Sequence, residues 1–73
     1  MANFAERIRA LRKEKGLSQE EVGSVIGLKK YAVYSYEKGR ACPDMRGLIA
    51  PADYFNVSMD YLAGRTDNPD INR

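Results

Sequence analysis

The feature that most constrains this chain is a set of paired helix starts and stops packed into a very short length. Asn3-Phe4-Ala5-Glu6 and Ser18-Gln19-Glu20-Glu21 each place a small polar acceptor three residues ahead of a glutamate, and single glycines follow at Gly16 and Gly27. In such a box the first side chain accepts from an orphan N–H of the opening turn while the glutamate reaches back. A glycine just past the last turn supplies the left-handed residue on which a helix closes. All six glycines stand singly, so no phosphate-cradling loop is present, and they read as punctuation. The chain must be built from short helices.

Between these marks the apolar spacing is helical. Phe4, Ile8 and Leu11 give helix 1 an inward stripe from Phe4 to about Lys15. Val22, Val25 and Ile26 do the same for a helix 2 of about eight residues. Helix 3, Lys30 to Lys38, carries Val33 and Tyr36 inward and Lys30, Tyr31, Tyr34 and Ser35 outward, and stops at Gly39. Asp44 caps helix 4, lined by Leu48, Ile49, Ala52 and Phe55 and ended by Asn56; Ser58 caps a last helix, Met59 to Ala63, before Gly64. Residues 1–66 are expected to form the domain, with 67–73 a short polar tail. Two short helices joined by a tight glycine turn match the helix-turn-helix unit, whose second helix is presented to the major groove of DNA. Gly23 suits the close crossing such a unit needs.

Composition removes most other functions. At 73 residues there is room for one domain, and chains this short usually need disulfides, a metal, partner chains or very regular helix packing. One cysteine, Cys42, and no histidine exclude an internal disulfide, a zinc site and the common nucleophile-imidazole pairs. The expectation is a chain that is not an enzyme and takes no cofactor. The longest uncharged run, Val22 to Leu28, is far short of the roughly 20 residues needed to cross a bilayer, and no charged-then-apolar leader opens the chain. A cytoplasmic protein without membrane contact is expected. The net charge of +2 divides unevenly: residues 1–46 carry ten Lys/Arg against six Asp/Glu, residues 47–73 two against four. A polyanion would bind the first part. Arg7, Arg9, Arg12, Lys13 and Lys15 read equally as the solvated outer face of helix 1.

Taken together, Leu17-Ser18-Gln19-Glu20-Glu21-Val22-Gly23, Ile26-Gly27-Leu28, Val33, Tyr36-Glu37-Lys38-Gly39 and Pro43 resemble the phage-repressor/Cro helix-turn-helix family, and the resemblance covers residues 4 to about 65. It implies an all-α, compact bundle of five short helices that binds operator DNA as a homodimer. On that resemblance Gln19 contacts a phosphate, Lys30, Tyr31 and Ser35 occupy base-reading positions beside Tyr34, and Arg12 and Glu37 form an ion pair that sets the tilt of helix 3. The chemistry of these residues agrees. Lys30 can donate to guanine, tyrosine rings can pack on thymine methyls, and a serine hydroxyl suits either class of base edge. Lys29, Lys38 and Arg40 flank the helix as phosphate contacts, adding salt-sensitive affinity. For Tyr31 and Tyr34, burial or a protein contact stays open.

Pro51 departs from the family's apolar residue in helix 4. A proline there removes a hydrogen bond and crowds the carbonyl of Gly47, so a kinked or interrupted helix is expected. Met59, Tyr61, Leu62 and Ile71 are candidates for a dimer contact, or for completing the core. Cys42 carries no assigned role. Two alternatives remain beside the repressor: the antitoxin of a toxin-antitoxin pair, binding DNA and a protein toxin, and an adaptor that binds protein alone.

Overall fold

The computed structural model describes residues 3–71; the last two residues of the expected tail, 72 and 73, lie outside them. Among the described residues the structure is all-helical: α1 (Phe4–Glu14), α2 (Gln19–Ile26), α3 (Lys30–Glu37), α4 (Met45–Phe55) and α5 (Met59–Leu62). Both capping boxes form, with Asn3 and Ser18 accepting from the backbone of Glu6 and Glu21 and both glutamates answering. Asp44 and Ser58 cap α4 and α5. Asn56 closes α4 at φ 57°, a left-handed value that asparagine tolerates better than most residues.

The core is one cluster of Ile8, Val22, Val33, Ala52, Phe55, Val57 and Leu62. Phe4 meets Tyr36 edge to face at 5.3 Å between ring centroids, joining the start of α1 to α3. α2 packs most extensively on α3, α3 also on α1, and α5 on α1 and α4. At Gly23 the approach is too close for any side chain: a Cβ there would stand 2.6 Å from the carbonyl oxygen of Leu28. The turn into α3 therefore lies directly on α2.

Three expectations about facing need correction. Val25 is 47% exposed, because the inward sector of α2 runs from Val22 to Gly23 with Ile26 between them, and Val25 falls outside it. Ile49 is 41% exposed for the same reason: Gly47, Pro51, Ala52 and Phe55 take the buried side of α4. Arg7, read as solvated, is buried. Its guanidinium lies 3.8 Å over the Tyr61 ring and donates to Asp67 at 2.8 Å.

Pro51 neither breaks nor ends α4, which runs unbroken from Met45 to Phe55. Its ring is fully buried, so the lost backbone hydrogen bond is set against packed apolar surface. Gly47 is also buried, at a contact where a Cβ would meet Pro43 Cβ at 2.8 Å and the Tyr36 hydroxyl at 3.0 Å. That glycine serves close packing of the loop before α4. The segment after α5 is tied down as well, since Ser58 N donates to the carbonyl of Pro69 at 2.9 Å.

Candidate nucleic-acid interface

The exposed side of α3 is narrow and chemically uniform. At about 100° per residue, Lys30, Tyr34, Lys38 and Tyr31 fall in one sector, and Lys29 is exposed at the N-cap before it. Lys30 and Lys38 are exposed and Tyr31 is 74% exposed. Tyr34 is half-buried, with Lys38 Nζ 5.7 Å and Arg40 Cζ 6.0 Å from its ring centroid. A ring so placed attracts both cations and holds them on one side of the helix. Ser35 does not join the group. It lies one step past Tyr31, on the packed side, and is 8% exposed, so its place among the base-reading residues is withdrawn.

Behind this sector an ion-pair network fixes α3 to the rest of the bundle. Arg12 donates through Nε to Glu37 Oε2 at 2.6 Å and through Nη2 to Oε1 at 3.0 Å, and its Nη1 donates to the carbonyl of Leu17 at 2.9 Å. The fork geometry suits a carboxylate. Hydrogen bonding to Glu37 raises the Arg12 guanidinium above its ordinary value, working against partial burial and helped by the glutamate's charge. Gln19, at the first turn of α2, donates its amide to Glu37 Oε1 at 3.2 Å. One amide hydrogen and the carbonyl of Gln19 remain for another partner. Arg12, Gln19, Tyr34, Glu37, Lys38 and Arg9 line a recess of about 260 Å³.

Arg9 was read from the sequence only as part of the solvated face of α1, with no place in the site. It stands one turn before Arg12 on α1, and that i, i+3 spacing is the signal by which it could have been placed beside the pair. Lys29 and Arg40 are exposed at either end of α3. The surface thus combines free cations, an exposed aromatic ring and a partly engaged amide on elements that cannot move independently.

A family model described as helix-turn-helix matches residues 8–62, spanning α2, the Gly27 turn and α3. The chain belongs to the helix-turn-helix family. It is 36% identical over 67 residues to the uncharacterized helix-turn-helix-type transcriptional regulator YobD of Bacillus subtilis, covering 92% of this chain and 60% of that protein. It is 34% identical over 64 residues to the cryptic phage CTXphi transcriptional repressor RstR of Vibrio cholerae, covering 88% of this chain and 58% of the repressor. The chain therefore spans about three-fifths of these curated relatives. In three dimensions the helix-turn-helix domain resembles the P22 c2 repressor crystallised with a synthetic operator, with a TM-score of 0.84 and 29% identity over 90% of this chain and 100% of that one. No helix among the described residues is long and apolar enough to cross a membrane.

Proposed function

We propose that the chain is a cytoplasmic transcriptional regulator, acting as a repressor, that binds operator DNA as a homodimer with α3 in the major groove. The observation that carries this reading is the exposed sector of Lys30, Tyr31, Tyr34 and Lys38 braced from behind by Arg12, Glu37 and Gln19. Lys30 and Tyr31, the outermost pair at the start of α3, read base edges. Lys29, Lys38 and Arg40 contact phosphate, and Tyr34 organises the last two. Gln19, held by Glu37, offers its free amide hydrogen to a phosphate, with Arg9 across the same recess. The operator in the structure of the P22 c2 repressor and the repressor function of RstR support the assignment.

Fluorescence anisotropy on the DNA upstream of the chain's own gene tests it. Lys30→Ala should weaken the preferred site by about 1–3 kcal/mol and leave nonspecific binding nearly unchanged. Lys38→Ala should weaken all duplexes alike and lower the salt slope by about one. Equal affinity for every duplex, or no response to Lys30→Ala, overturns the reading.

A further inference from the structure

Arg7 is the buried charged side chain of α1, and the proposed interface does not use it. Its Nη2 donates to Asp67 Oδ1 at 2.8 Å, its guanidinium rests on the Tyr61 ring, and its Nη1 is buried without a hydrogen-bond partner. Asp67 itself is largely exposed. The bond therefore reaches across 60 positions to bring an otherwise solvated segment against the body of the domain. One further bond continues the docking, from Ser58 N to the carbonyl of Pro69 at 2.9 Å, while Arg65 N closes the end of α5 by donating to the Asp60 carbonyl at 2.8 Å. Within the segment, Thr66 Oγ1 and Asn68 Oδ1 accept from the backbone of Asn68 and Asp70, holding it in successive turns.

Ile71, the last described residue of this segment, joins Ile49, Val57 and Met59 around a groove of about 390 Å³ beside α4 and α5, with Asp53, Ser58 and Asp60 also on its lining. Ile49, Met59 and Ile71 are each about two-fifths exposed, and they come from three separate parts of the chain. Met59 and Ile49 stand on helices. Ile71 is placed there only by the docking of residues 65–71.

We propose that Arg7 and Asp67 form a latch that builds this third apolar wall, and that the completed groove is where a second copy of the chain seats, so that pairing of copies depends on the latch being closed. The inference rests on the dimer proposed above and adds what controls it. A second copy fits the surface for two reasons. Asp60 lines the groove and Arg65 stands 3.7 Å from it, both exposed, so each can find its opposite charge across a two-fold axis. The groove also lies away from α3, which packs on α1 and α2, so joining two copies there leaves both α3 surfaces open. With extents of 30 × 22 × 21 Å, two copies so joined are large enough to set their α3 helices one turn of DNA apart, about 34 Å.

Analytical ultracentrifugation over a concentration series, with circular dichroism on the same samples, decides the matter. Asp67→Ala opens the latch but strands Arg7, so Arg7→Met with Asp67→Ala is the companion that opens it without leaving a buried charge. Both variants, and Ile71→Ser, should keep their helix content and pair about tenfold or more weakly than the wild type. Adding Ile71→Ser to the open-latch double variant should weaken pairing little further, because the wall is already gone. Unchanged pairing in the double variant, or tighter pairing as expected of a segment that merely covers the groove, overturns the latch while leaving the dimer intact. A wild-type chain that stays monomeric at millimolar concentration removes the dimer, and the latch's role with it.

Discussion

Replacing Arg12 by alanine tests whether the network behind α3 holds the fold together. The substitution removes two hydrogen bonds to Glu37 and one to the Leu17 carbonyl, and it leaves a carboxylate whose side chain is only 4% exposed with the Gln19 amide as its remaining side-chain partner. Breaking one partner of a buried pair costs about 3–5 kcal/mol, because the surviving charge is left poorly solvated. A 73-residue domain is stabilised by only about 4–11 kcal/mol in total. At roughly 4–8 °C per kcal/mol for a domain of this size, the melting midpoint should fall by about 12 °C or more. Arg9→Ala, on the exposed side of the same helix, removes no hydrogen bond found in the structure and should stay within about 0.5 kcal/mol of the wild type. Replacing Arg12 and Glu37 together by methionine should recover most of the loss, since no charge is stranded. The raised guanidinium keeps its proton throughout the accessible range: its contribution is complete below the unfolded value and would fade only above the folded one. The deficit should therefore be the same in neutral and mildly alkaline buffer. Calorimetry that places Arg12→Ala within about 4 °C of Arg9→Ala would refute the reasoning.

Gly23→Ala gains about 1 kcal/mol of helix propensity, yet its methyl group would sit 2.6 Å from the Leu28 carbonyl oxygen, and backbone cannot swing aside as a side chain does. A net loss of about 1–3 kcal/mol is expected, with weakened DNA binding as α3 is pushed from α2; a variant as stable as the wild type would count against the close approach. Burial, and secondarily the charge of Asp44, raises the Tyr36 phenol. Because the folded state holds that proton more tightly, the stability it confers is whole below the ordinary tyrosine value and is lost as pH climbs through the raised one. Urea unfolding between about pH 8 and pH 11 should show the wild type losing stability faster than Tyr36→Phe, and parallel curves would contradict this.

Helix boundaries were legible because their signals are local. Asn3, Ser18, Asp44 and Ser58 each cap the helix that follows, and α1, α3 and α5 end within a residue of their expected stops. Facing was legible only where apolar side chains mark the inner side. In α2 and α4 the buried sector is held partly by Gly23, Gly47 and Pro51, which carry little weight in an apolar pattern, and the apparent stripe was drawn too far toward Val25 and Ile49. Arg7 was misread for the opposite reason: a guanidinium counts as polar, while its burial depends on Tyr61 and Asp67, more than fifty positions away. The Arg12–Glu37 contact was reached through resemblance, since nothing in the local spacing links residues 25 apart. Ser35 shows the limit of that route, because its small side chain sinks between neighbours just past the exposed sector of α3.

Of the five helices, α3 alone begins without a side-chain cap: Lys29 precedes it and makes no such hydrogen bond. Its entry is secured instead from underneath, by the bare Gly23 surface against Leu28 and Lys29. Lys30 and Tyr31 are thereby relieved of any duty in keeping the molecule assembled. A lineage could exchange these two letters freely and acquire a new address on the genome while the scaffold beneath went on folding as before.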